Sequence, residues 1–462
     1  MKIIPQNSEN ENNYNITSDN FFNKLRVSSL LKRCNFYKIK GVPCLVILKY
    51  LFSLVFTHKN FFRHLESNEI GFKKDTVYRF LNSLNFNWQK LLALLSSSVI
   101  NENLEKLTNK KRERVFIVDD SIYERKRSKE VELVSRVHDH TDGKYKIGYQ
   151  MLTLGWSDGN SFVPIGFNLV ASSEEKNVLC EKDNDIDKRT NGYQRRVNAQ
   201  KKKTDLMFDL IDIASKNNIT ADYILFDSWF SYPATIIKLL KKSLHTIAML
   251  KATPKVYYVV DGLHKNLKEI YKGLKWKRKK GDIIKSIIVQ LEDKKNNNER
   301  IPVQLVFVRN RNKASKWLTL ISTNTEISAE EIVRIYGKRW SIEVFFKTCK
   351  SYLKLAKECQ SRNYDALVAH TSVVFMRYMM LSIESRNNID NRTLGDLFYL
   401  CCDELRDIKF IHSLHLILDL LKVELCKHIT LSKEAFNAIF DSFMLNLPKY
   451  IKSSLGIYSC ES

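Results

Sequence analysis

Two short runs of β-forming residues, Val115-Phe116-Ile117-Val118 and Tyr223-Ile224-Leu225-Phe226, each lead straight into aspartate, at Asp119-Asp120 and at Asp227. Apolar runs of this length read as buried strands, and a carboxylate where such a strand ends stands at the rim of a sheet. Residues 149–156 and 162–170 flank Ser157-Asp158-Gly159-Asn160, which predicts a hairpin with a glycine-containing turn. Helical spacing follows at 204–214 and 233–241, then a third apolar run at 246–250. β-type stretches recur at 256–260, 283–291 and 303–308. From Ser328 a helical pattern continues past Leu355 and carries Glu343.

The order is strand, hairpin, helix, strand, helix, strand, β-rich segment, helix. It predicts an α/β chain with an RNase H-like catalytic core and a β-rich insertion between the second Asp and the Glu, flanked by helical N- and C-terminal regions. The expected division is a polar, Asn-rich disordered lead-in over 1–18 and a helical DNA-binding region over 19–110. A catalytic domain over 111–382, with a basic insertion at 251–318, precedes a helical region over 383–462 suited to dimerisation. Within 19–110, Asp75 can cap a helix flanked by Lys73, Lys74 and Arg79, which either enters a DNA groove or simply packs.

The net charge of +24 points to a polyanionic partner, and its distribution sharpens that. Residues 383–462 hold 9 basic and 11 acidic side chains, so the whole excess lies upstream. Residues 251–316 alone hold 18 basic against 6 acidic, densest at Lys275-Trp276-Lys277-Arg278-Lys279-Lys280. Arg195, Arg196, Lys201, Lys202 and Lys203 form a second cluster. Solvated faces are the plain alternative for any one run. The longest apolar run, 44–56, is too short for a membrane span and contains Lys49. The nine cysteines are scattered without a CxxC pair, as reduced thiols in a cytoplasmic protein would be.

Hard oxygen ligands suit Mg²⁺, and two such ions roughly 3.5–4 Å apart can clamp an in-line phosphoryl displacement. Asp119 or Asp120, Asp227 and Glu343 can supply them; singly, each reads more readily as a turn or cap residue, and the set is stronger than its parts. On one helix at ~100° per residue, Tyr336, Arg339, Glu343 and Lys350 fall at roughly 0°, 300°, 340° and 320°, a single narrow stripe. A stripe of Tyr, Arg, Glu and Lys is not a core face. It is either solvated or set to meet a phosphate, whose oxygens the cations would take.

The spacing Y-x2-R-x3-E-x6-K, standing as YGKRWSIEVFFKTCK, resembles the signature of the insertion-sequence 4 family of DDE transposases. IVDDS resembles that family's first-Asp motif, with Asp119 or Asp120 as the ligand, and ILFDSWF its second, with Ser228-Trp229-Phe230 after Asp227 in place of the Arg-Gly-Tyr of the commoner Asp-Arg-Gly-Tyr form. The resemblance spans about residues 110–380 and implies a two-ion Mg²⁺ or Mn²⁺ site on Asp119, Asp227 and Glu343. It further implies that Tyr336, Arg339 and Lys350 handle phosphates of the cleaved end, and that Trp317 stacks on a flipped base; a core Trp is the alternative there. Lys277, Arg278, Lys279 and Lys280 are expected to contact DNA.

The function expected is thus that of a bacterial, nucleoid-associated transposase acting on transposon-end and target DNA as a homodimer, with no membrane and no nucleotide cofactor. A nuclease of the same fold without strand transfer, or an inactive DNA-binding regulator, are the alternatives. No GxxxxGK[ST] or GxGxxG occurs. His138-Asp139-His140 lacks a third ligand, and Ser121 lacks a His partner for a hydrolase triad.

Overall fold

The computed structural model describes residues 17–57, 72–109, 111–139, 143–183, 185–274, 283–293, 299–310, 316–387, 393–428 and 433–447. Most of the expected lead-in, the Lys277–Lys280 run and His140 lie outside the described residues.

The chain is built around one mixed sheet. Strand β1 (Val115–Glu124) pairs antiparallel with β3 (Lys144–Ser157) along its whole length, and parallel with β5 (Tyr223–Phe226) at Val115–Ile117 only. β3 in turn holds β2 (Ser135–Asp139) and β4 (Phe162–Val170), and β5 pairs parallel with β6 (His245–Leu250). This is the RNase H-like arrangement, with helices on its flanks.

The insertion extends the same sheet. After β6 the chain forms β7 (Tyr258–Val260), β8 (Leu263–Lys265), β9 (Ile283–Asp293) and β10 (Glu299–Arg309). It returns as β11 (Trp317–Ser322), which pairs directly with β6.

Helices α1 (Thr17–Lys24), α2 (Val27–Arg33), α3 (Cys44–Ser53), α4 (Lys74–Leu81) and α5 (Trp88–Ser97) precede the sheet and share one continuous apolar core with it. Asp75 lies in the first turn of α4, whose N-cap is Lys73, and Val77, Phe80 and Leu81 are buried. Helices α6 (Asn191–Ala199), α7 (Lys203–Lys216), α8 (Pro233–Lys241) and α9 (Leu267–Gly273) connect the strands. Proline opens α8, where its missing N–H costs nothing.

The helical pattern from Ser328 divides in two: α10 (Ala329–Gly337), opened by a capping box between Ser328 and Glu331, and α11 (Trp340–Ser351). Lys338 and Arg339 between them keep right-handed helical dihedrals, so the chain turns little and side chains before and after the break stay aligned. Helix α12 (Tyr364–Asn387) is long and apolar enough to cross a bilayer, yet that apolar stretch is entirely buried within the protein as its central core helix.

Helices α13 (Leu394–His428) and α14 (Lys433–Asn446) form a second, small core of Leu418, Phe436, Phe440 and Met444, edged by Leu414 and Leu425. Leu416, Ile417, Leu420, Leu421 and Val423 on α13 are exposed. At ~100° per residue the inward leucines cluster within roughly 40° of arc, and the exposed apolar residues cover most of the adjoining half-circle.

Candidate active site

β5 ends at Phe226 because Asp227 turns the chain: its Oδ1 accepts from the Trp229 backbone N–H at 2.9 Å. Ser231 Oγ secures the turn by donating to the Met249 carbonyl at the end of β6 (2.6 Å). Beyond Ile117, therefore, β1 has no parallel neighbour, and a crevice opens at the carboxyl ends of the strands, where open α/β sheets bind ligands.

β1 does not stop at Val118, as its apolar run suggested. It continues through the carboxylates to Glu124, because the 14-residue β3 offers partners all the way to Gly148. Being within a strand, Asp119 and Asp120 point to opposite faces. Asp119 faces the Glu343 helix. Asp120 faces α7, where it pairs with the ammonium of Lys203, itself 3.9 Å from the Trp229 ring centroid. Ser121, on the Asp119 face, accepts from Lys350 Nζ at 2.6 Å.

Arg339 joins the two sides of the crevice. Its Nη1 donates to Asp119 Oδ2 at 3.0 Å and its Nη2 to Glu343 Oε1 at 2.5 Å. The guanidinium carbon lies 5.9 Å from the Tyr336 ring, and Tyr336 OH donates to the Phe226 carbonyl at 3.5 Å, next to Asp227. Glu113 fastens this helical segment to the foot of β1: Lys338 Nζ donates to its carbonyl (2.7 Å) and carboxylate (3.0 Å), and Arg334 pairs with the same carboxylate.

The electrostatics follow from carboxylates crowded in a largely buried site. Burial pushes Asp119 up to about 7; Arg339 opposes this, while the charges of Asp120 and Asp227 add to it. Tyr336 is raised to about 12 by burial, with the Arg339 cation opposing and the Asp227 and Asp119 charges adding. Burial lowers the Lys350 ammonium, against the pull of Asp139. Arg334, then Lys338, hold the Glu113 carboxyl at about 2, against the effect of burial.

Asp119, Asp227, Tyr336, Arg339 and Glu343 thus come together, with Lys350 of α11 reaching Ser121, two residues along β1 from Asp119. Trp317 does not join them. It lies half-buried in the insertion, its ring stacked on Tyr271 at 4.7 Å and edge-on to Phe307 at 5.2 Å. Lys203 and Trp229 border the site without having been singled out for it. Their only signal is a lysine in a basic cluster and an aromatic two residues after Asp227.

That basic cluster is largely internal. Arg195 Nε donates to Asp365 Oδ1 at 2.7 Å, and Arg196 bridges Glu132 (2.5 Å) and Asp365 (2.9 Å), all nearly or wholly buried. Of the other candidates, Asp139 is paired with Lys146, and His138 lies edge-on to Tyr145.

Whether the site suits a divalent cation depends on both donor type and arrangement. The donors, carboxylate oxygens, are those Mg²⁺ takes. The arrangement is not a ligand set: Arg339 ties up Asp119 and Glu343, and among the described residues no three His, Cys, Asp or Glu side chains are grouped to hold a metal.

No curated protein matches this chain. Among solved structures, the piggyBac transposase synaptic complex with hairpin DNA, determined by cryo-electron microscopy, aligns over 97% of this chain and 87% of that chain, at 11% identity and a TM-score of 0.45. The sequence pattern of the family described as DDE superfamily endonuclease matches residues 56–298, more than half of the chain. The match takes in Asp119, Asp120 and Asp227 and ends before Glu343; by that match the chain belongs to the DDE superfamily endonuclease family.

Proposed function

We propose that the protein is a transposase of the insertion-sequence 4 type, cutting the ends of a DNA element and joining them to target DNA with Mg²⁺ or Mn²⁺. The observation that supports this best is the meeting of Asp119, Asp227 and Glu343 with Tyr336 and Arg339 in one crevice at the strand ends. Divalent ions held there would supply charge stabilisation and an activated oxygen nucleophile. The chain's own part is to hold the phosphate: Arg339 and Lys350 as cations for its non-bridging oxygens, and Tyr336 as a neutral phenol beside them. Water as nucleophile gives a nick, and the freed 3′-OH gives strand transfer; both are in-line attacks on phosphorus at one site. Asp119 is the first ligand in this reading, since Asp120 faces Lys203.

Asp227→Ala and Glu343→Ala should each abolish metal-dependent cleavage of end DNA and leave DNA binding intact. Normal cleavage by either variant would sink the assignment. Cleavage without joining in a strand-transfer assay would favour the nuclease reading.

Cutting two ends calls for two active sites, and a second copy suits the exposed face of α13. The exposed Leu416, Ile417, Leu420, Leu421 and Val423 make a wide apolar face on α13 beside its inward leucines, and such a face on a protein surface marks an interaction site. Light scattering should show Ile417→Lys with Leu421→Lys as a monomer where the parent is a dimer. Unchanged mass would rule this face out.

A further inference from the structure

Helices α3, α4 and α12 meet around a cavity of about 230 Å³. Its walls are largely apolar: Leu51 on α3, Leu54 just after it, Leu81 on α4 and Val373 on α12 are all buried. One wall is polar. His370, a turn before Val373 on α12, lines the same cavity with a side chain only 5% exposed. Its Nδ1 faces Glu358 Oε2 at 3.7 Å, and Glu358 is itself held by Arg377 at 2.8 Å. Its Nε2 is buried and has no hydrogen-bond partner among the described residues. A buried polar atom left unmatched is unfavourable, so a molecule that meets it gains more than it would in water. We infer that this cavity binds a small neutral molecule of the phenol class, one ring with one hydroxyl, whose O–H donates to His370 Nε2.

Three features set the class. The first is size: an apolar cavity of about 150 Å³ accepts benzene, so this one has room for a ring with one or two substituents. The second is the sense of the hydrogen bond. Burial lowers the His370 imidazole to about 4; the Glu358 charge opposes this and Arg377 adds to it, so the ring is neutral at pH 7. With Nδ1 turned to a carboxylate, the single proton belongs there, and Nε2 presents a lone pair that calls for a donor. The third is charge, since the leucines and valine around the ring disfavour an ion. Lys357 and Gln360 on the rim are exposed, which gives the cavity its way in. An occupant would touch Tyr78 and Leu81 of α4, the helix that carries the exposed Lys73, Lys74 and Arg79. The inference does not depend on the transposase reading.

The test is calorimetric titration of the full-length protein with para-cresol and with toluene, which has the same ring and methyl group but no hydroxyl. Para-cresol should bind saturably at one site per chain, about tenfold or more tighter than toluene. His370→Leu, which removes the acceptor, should bind the two compounds equally. His370→Gln keeps a polar side chain there and should retain part of the preference, which guards against misfolding of the apolar variant. The parent alone gives a second readout. In protein labelled with nitrogen-15 histidine, para-cresol should move one imidazole nitrogen upfield among the ten histidines, and toluene should not. No saturable binding of para-cresol, or equal binding of both compounds by the parent, would overturn the site. A preference that survives in His370→Leu would put the molecule elsewhere and overturn it equally.

Discussion

The two basic regions of this chain look alike in sequence and do opposite things in the fold. At residues 195–203 three of the five cations, Arg195, Arg196 and Lys203, turn inward. Arg195 and Arg196 tie α6 to Asp365 on the core helix α12 and to Glu132, and Lys203 is spent on Asp120. In the insertion, Lys251, Lys255, Lys268, Lys272, Arg309 and Lys316 are exposed. The difference lies in the neighbours: an arginine on a packed helix, facing buried acids, is structural, whereas lysines on the connecting loops and on helix α9 face solvent. Net charge therefore overstates the surface available to a polyanion, and the insertion is the better place to look for it.

Three experiments would break or sharpen this contrast. The largest effect is expected at Arg196. Replacing it with Ala leaves Glu132 without its arginine and Asp365 with Arg195 alone, and should cost ~3–5 kcal/mol in urea unfolding; a loss below ~1 kcal/mol would mean the pair is not structural. Neutralising Lys277, Arg278, Lys279 and Lys280 should do the reverse. Stability should stay within about 0.5 kcal/mol, while DNA affinity falls and the log affinity–log salt slope flattens by about 0.9 per lost phosphate contact. An unchanged slope would remove this run from the DNA surface.

The smallest effect concerns the anchor of the Glu343 helix. Glu113 is held at about 2 in the fold against an ordinary 4.5. Its contribution is therefore present above about pH 4.5 and is lost as pH falls towards 2. Glu113→Gln should lower stability by about 1 kcal/mol at pH 7, and the two proteins should converge near pH 2. A constant difference across that range would show that shape, not charge, is what Gln fails to replace.

Local signals were legible where local forces decide. β5 spans the apolar run that announced it, and α8 begins at its proline. β1 was read short because Asp119, Asp120 and Ser121 are poor strand formers, and only the length of β3 explains why they are strand. The break at Lys338–Arg339 was invisible because the sequence keeps its helical period across it. The site was legible in its acids and in the Tyr336–Arg339–Glu343 spacing, since those residues are close along the chain or follow apolar runs. Lys203 with Asp120, Arg195 with Asp365 and Trp317 with Tyr271 were not, because each pair is separated by tens of residues or more, and only tertiary packing selects it.

The insertion starts after Leu250 at the end of β6 and comes back on the strand next door, where Thr319 lies opposite Leu250. Its two ends are thus about one strand spacing apart, ~5 Å. Topologically it is an enlarged hairpin loop. Such a loop can lengthen, shrink or be exchanged without re-threading the chain around the carboxylates. The basic segment can drift while the strands that carry Asp119 and Asp227 stay fixed, so the insertion can be shortened or exchanged as one piece.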